Sequence, residues 1–103
     1  MDDAFSLHVL GDVDGEVCLV ARGELDIAAA VRFRSAVAEL AATNRRVVLD
    51  LRDIAFMDST GLYALMHAHG QLGERLVVLA GDSALRLLRL TGLDGVLPLA
   101  SAA

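Results

Sequence analysis

Residues 57 to 62 read MDSTGL, two hydroxyls set between a carboxylate and a glycine. A serine in such a stretch can cap a helix, accept a phosphate, or act as a nucleophile when a base and an oxyanion site stand beside it. The run before it is strongly apolar and the run after it has helical spacing, so Ser59 and Thr60 fall at a strand-to-helix turn rich in free backbone N–H groups. Asp58, Ser59 and Thr60 together offer more capping side chains than one helix start uses, and Gly61 leaves the approach to the turn free of a side chain. A phosphoserine adds roughly 1.5 to 2 negative charges, while a helix N-terminus carries about half a positive charge. Modification there is expected to leave the domain folded and to change what its surface binds.

Other chemistries find no support. His67 and His69 lie about two turns further on, by helical spacing, His8 is on an early strand, and no G-x-S-x-G surrounds Ser59, so a hydrolytic triad is not expected. His67 and His69, two apart, point to different helix faces and make no metal pair; they read as surface or boundary residues. The D-S-T-G tract has one residue too many for an aspartic-protease turn, and that chemistry needs a second carboxylate turn. The chain has no G-x-x-x-x-G-K-[ST] or G-x-G-x-x-G, so no nucleotide loop is supported. Arg86 and Arg89, three apart on the last helix, offer a contact surface, but Asp82 four residues before Arg86 makes a solvated helix pair the simpler account. No metal, no cofactor and no enzymatic activity are expected.

The elements that position this turn fill one domain, 1–103, whose 103 residues suffice for a single core. Hydrophobic residues make up 55% and charged residues 22%, a folding composition, and 14 acids against 9 bases give a net charge of −5 that disfavours nucleic acid. Cys18, the lone cysteine, cannot form an internal disulfide. The start MDDAFSLHVL is acidic where a signal peptide is basic, and no apolar run reaches the roughly 18 residues of a membrane span. A soluble, cytoplasmic protein without membrane insertion is expected.

Phe5, Leu7 and Val9 alternate with Ser6 and His8 and predict an edge or near-edge strand. GDVDG, 11 to 15, predicts a tight turn, and 17 to 21 a central strand with both faces covered. GELD, 23 to 26, ends that strand and places Asp26 to cap a helix on which Ala30, Phe33, Val37 and Leu40 share a face. Thr43 and Asn44 end the helix before a buried strand at 47 to 51, a parallel β-α-β crossover. Leu62, Leu65, Met66 and His69 predict the next helix, stopped by Gly70 and Gly73. A buried strand at 76 to 80 follows, then a helix within 81 to 93, capped by Asp82 or Ser83 and stopped at Gly92. Pro98 confines any strand at 96 to 99 to a short edge segment. Parallel strands bring Asp26 and Asp58 to one end of the sheet, where they flank Ser59. The class is α/β: a four- to five-stranded, mostly parallel mixed sheet with three main helices.

With GELD at 23 to 26, VVLDLRDIAFMDSTGL at 47 to 62 and LRLLRLTGLDGVLPL at 85 to 99 in this order, the sequence resembles the STAS domain family, specifically bacterial anti-sigma factor antagonists. The resemblance implies a partner that is an anti-sigma factor of the histidine-kinase-like ATPase fold. It also implies phosphorylation of the serine after the aspartate, here Ser59 with Thr60 the second choice, and a serine phosphatase that resets the switch. Asp26, Asp58, Ser59, Thr60, Gly61, Leu62 and Tyr63 are the implied partner-binding residues. Two features depart from the family: Tyr63 stands where relatives often carry glycine, and HAHGQLGER at 67 to 75 is less basic than in many of them. The alternatives are a non-switching STAS subunit of a transporter or signalling complex, and a small nucleotide-binding protein.

Overall fold

The computed structural model describes residues 4–100, so the acidic start at 1 to 3 lies outside the described residues. Asp14 and Gly15, both at positive φ (54° and 76°), make the two-residue turn that an Asp-Gly pair favours between antiparallel strands. The turn joins β1 (Phe5–Val13) to β2 (Glu16–Leu25). It is shorter than the expected 11 to 15 because Gly11, at φ 48°, stays in β1 as part of a bulge between Leu10 and Asp12. Helix α1 (Ile27–Ala41) returns the chain to β3 (Arg46–Met57), α2 (Ser59–Leu72) returns it to β4 (Leu76–Ala80), and α3 (Asp82–Thr91) follows.

The sheet order is β1-β2-β3-β4, with β1 antiparallel to β2 and β2, β3 and β4 parallel. Of the four- to five-stranded, mostly parallel mixed sheet with three main helices read from the sequence, four strands form, with β1 on the edge. The segment around Pro98 adds only a single bridge, Leu99 to Val78, in which Pro98 O accepts from Val78 N at 2.9 Å. Among the described residues, no helix is long and apolar enough to cross a membrane.

Two successive right-handed crossovers in one direction put α1 and α2 on the same face of the sheet. Val17, Leu19, Ala21, Val47, Leu49, Leu51, Leu76 and Val78 point to that face and are buried with Phe33, Val37, Leu65 and Leu72. Cys18 points the other way and is only half-buried, as are its cross-strand neighbours Val48 and Val77. The expected double coverage of β2 holds in part: the strand is central, α1 and α2 cover one face, and on the other Val20 is buried while Cys18 is half-buried.

Two helix boundaries also differ from expectation. Gly70 lies inside α2, where its cost of about 1 kcal/mol is outweighed by the buried Leu65, Ala68 and Leu72; Gly73, at φ 56°, is the stop. Gly81 is the N-cap of α3 and neither Asp82 nor Ser83 caps it. Ser83 instead donates its hydroxyl to Ala55 O at 3.3 Å, fastening α3 to the end of β3.

On the half-covered face, Asp50 is buried and accepts from Arg52 Nε at 3.0 Å, Arg52 Nη2 at 2.8 Å and the Arg52 backbone N at 3.1 Å. The Arg52 side chain holds the Asp50 carboxyl below the ordinary aspartate range, against the opposing effect of burial. As pH falls the unfolded chain takes up this proton first, so the stabilisation is complete above about pH 4 and is lost below it. Asp50→Asn should cost about 1–3 kcal/mol at pH 7, and its gap to the parent should narrow as the pH is lowered through the aspartate range. Urea midpoints across that range check this; equal midpoints at neutral pH would contradict it.

Candidate functional site

β2 and β3 stay paired to their last residues, Leu25 opposite Met57, through two register shifts, one between Val20 and Arg22 and one between Gly23 and Glu24. The next residue on each strand, Asp26 and Asp58, is the N-cap of the helix that follows. Both caps have extended backbone, as the position requires. Asp26 Oδ1 accepts from Ala29 N at 3.0 Å, and Asp58 Oδ1 accepts from Thr60 N at 3.0 Å and Gly61 N at 3.4 Å. The two aspartates thus stand side by side at one end of the sheet, each starting a helix of the same layer.

Because Asp58 serves the cap alone, the Ser59 hydroxyl is spare. Ser59 is the first residue of α2, is exposed, and makes no side-chain hydrogen bond among the described residues. Thr60 is half-buried. Gly61 is buried, and a Cβ there would stand 2.5 Å from Met57 Cγ and 3.2 Å from Leu25 Cδ2. It therefore lets α2 close down on the ends of β2 and β3 rather than presenting an open approach at the surface.

A shallow groove of about 240 Å³ opens beside the hydroxyl, lined by Ser59, Leu62, Tyr63, Met66, Thr91 and Leu93. Tyr63 is 78% exposed at its rim, and Ile27, the residue after Asp26, is 71% exposed on the neighbouring helix. Large apolar groups displayed beside two carboxylates are the composition of a protein-binding surface. Sequence reasoning missed Ile27, Thr91 and Leu93: the register that sets Ile27 beside α2, and the packing that brings the end of α3 to Ser59, are both long-range.

The histidines are where their spacing puts them, His67 exposed and His69 half-buried, and neither hydrogen-bonds Ser59. Cys18 is remote from this end, at the opposite half of β2. Burial, helped by the Asp50 carboxylate, pushes its thiol up, which lowers its thiolate fraction and its reactivity at neutral pH.

A mixed four-stranded sheet with a spare serine hydroxyl at the start of the helix after β3 is the arrangement of a STAS domain. The family model described as "Mlab, STAS domain" matches residues 8–99, and the chain belongs to the STAS domain family. Among solved structures, an anti-sigma factor antagonist from Mycobacterium paratuberculosis is similar at 31% identity and a TM-score of 0.84, covering 96% of this chain and 87% of that one. The anti-sigma factor antagonist SpoIIAA in its unphosphorylated form shares the fold at 19% identity and a TM-score of 0.69, with 97% and 90% covered. The Bacillus cell fate determinant SpoIIAA in its phosphorylated form does so at 17% identity and a TM-score of 0.69, with 94% and 93% covered.

Proposed function

We propose that this chain is an anti-sigma factor antagonist: unphosphorylated, it binds an anti-sigma factor of the kinase-like ATPase fold and frees the sigma factor, and phosphorylation of Ser59 switches it off. The observation that carries the reading is the exposed, unbonded Ser59 hydroxyl at a helix start already capped by Asp58. The similarity to an anti-sigma factor antagonist at 31% identity supports it.

The docking face comprises Asp26, Asp58, Ser59, Thr60, Leu62 and Tyr63, with Gly61 setting the height of α2. In the transfer step the γ-phosphoryl of ATP passes to Ser59 Oγ, the Oγ proton leaves, and ADP departs. The kinase supplies nucleotide, magnesium and transition-state contacts. Asp58 Oδ1 is held by two amides, which leaves Oδ2 to orient the hydroxyl and take its proton. The chain is then a substrate and a binding module, acting in the cytoplasm, and not an enzyme. A serine phosphatase restores the hydroxyl.

The test is incubation with the cognate kinase and ATP, followed by mapping of the phosphate by mass spectrometry. Phosphate should appear on Ser59 and vanish in Ser59→Ala; phosphate on another residue, or none, would sink the reading. Co-purification with a transporter, together with indifference to Ser59→Asp, would favour the permanent-subunit alternative. Saturable heat on titration with ATP or GTP alone would favour the nucleotide-binding one.

A further inference from the structure

Next to the end of β3 that leads into Ser59, α3 carries an apolar surface edged by positive charge. Leu90 is 75% exposed, and Phe56, on the last turn-facing stretch of β3, is 49% exposed. Two shallow hollows flank them. One, of about 450 Å³, is lined by Asp82, Leu85, Arg86, Arg89 and Leu90. The other, of about 280 Å³, lies between α3 and residues 55 to 57 and includes Phe56, Arg86 and Leu90. Arg86 and Leu90 line both, so they form the ridge between them.

The expected Asp82–Arg86 pair does not form. Among the described residues no ion pair or hydrogen bond engages Arg86 or Arg89, and both are exposed. In a chain with net charge −5, two unpaired guanidiniums beside an exposed leucine and phenylalanine are a local inversion of the surface charge.

We infer that the surface formed by Phe56, Arg86, Arg89 and Leu90 docks an acidic amphipathic segment of a protein partner, its apolar side chains in the two hollows and its carboxylates on the arginines. Charge complementarity selects this occupant. Guanidinium forks pair bidentately with carboxylates, and apolar anchors spaced along a helix fill hollows of this kind. A nucleic-acid backbone or an anionic membrane asks for a larger basic cluster, and here Asp82 lines the wider hollow and the chain as a whole repels polyanions. The inference goes beyond the Ser59 switch and stands without it.

The probe is a short synthetic helical peptide with glutamates along one face and leucines along the other, titrated into the isotope-labelled full chain and followed by amide NMR. Saturable shifts should centre on Phe56, Arg86, Arg89 and Leu90 and weaken with salt. The same peptide with lysine for every glutamate should bind at least about tenfold more weakly, a loss of about 1.4 kcal/mol. Arg86→Glu with Arg89→Glu should reverse the preference between the peptides, with the melting temperature lowered by at most a few degrees because Arg89 lies in the last turn of α3, where the helix dipole favours a cation; Leu90→Ser should weaken both peptides. Shifts elsewhere, no saturation, or equal binding of the lysine peptide would overturn the proposal. So would the same amides shifting with protein concentration alone, which would make a second copy the occupant, or tighter binding of a single-stranded oligonucleotide.

Discussion

Ser59→Asp should lower affinity for the anti-sigma factor by about two to three decades, roughly 3–4 kcal/mol at about 1.4 kcal/mol per tenfold, without loss of stability. The effect follows from what the added charge meets. Ser59 sits beside Asp58, and Asp26 stands at the end of the adjacent strand, so a further carboxylate makes a cluster that a closing interface must desolvate without gaining a partner. A phosphate, with up to twice the charge, should do so more strongly. Stability is spared because the new charge lies in the first turn of α2, where the helix dipole favours it, and because Ser59 is exposed and makes no side-chain bond to lose. Calorimetric titration gives the affinity and a thermal melt the stability; a variant that binds like the parent, or one that melts well below it, would each contradict this account.

Gly23→Ala should be the most damaging single methyl in the chain. Gly23 has φ +100°, a region L side chains rarely adopt, and a Cβ there would land on the carbonyl of Ala4. That carbonyl accepts from Glu24 N at 2.7 Å, the bond that ties the start of β1 to the end of β2. Left-handed strain of roughly 1–2 kcal/mol adds to an overpacking cost of about 1–3 kcal/mol, and backbone, unlike a side-chain end, cannot rotate away. At roughly 4–8 °C per kcal/mol for a domain of this size, the melting temperature should fall by about 10 °C or more. A fall of only a degree or two would show that β1 can move aside.

The glycine of GELD illustrates how much of the fold the sequence carried and in what form. The motif marked the end of β2 and the cap at Asp26 correctly, because both are local: a turn former, then a carboxylate before an amphipathic run. That its glycine serves β1 was invisible, since Ala4 is brought there by the hairpin. The same division holds elsewhere. The continuous apolar run from Val17 to Ala21 and the buried face of α1 at Phe33 and Val37 were legible from local pattern alone, whereas the coverage of β2 depended on which face received the crossovers. Gly73 and not Gly70 ends α2, and Gly81 and not Asp82 caps α3, because tertiary packing chose among residues of similar local preference.

Packing also supplied what no local signal announces. Arg75 donates to Ala41 O at 3.1 Å and Arg45 O at 3.4 Å, closing the end of α1 from a distant turn. Arg32 donates to Phe5 O at 3.1 Å and stands 5.4 Å from the centre of the Phe5 ring, joining α1 to β1. At the candidate site, Asp58, Ser59 and Thr60 were legible as a surplus of hydroxyl and carboxylate groups. Which of them caps was decided by the fold, and the outcome left Ser59 free.

The most direct measurement of the central claim is the dissociation constant of the anti-sigma factor complex for unmodified chain and for chain phosphorylated stoichiometrically on Ser59, determined side by side by calorimetry. The account predicts tight binding by the unmodified protein, an affinity at least about a hundredfold weaker after phosphorylation, and recovery once a serine phosphatase has removed the phosphate. Equal affinities of the two forms would contradict it.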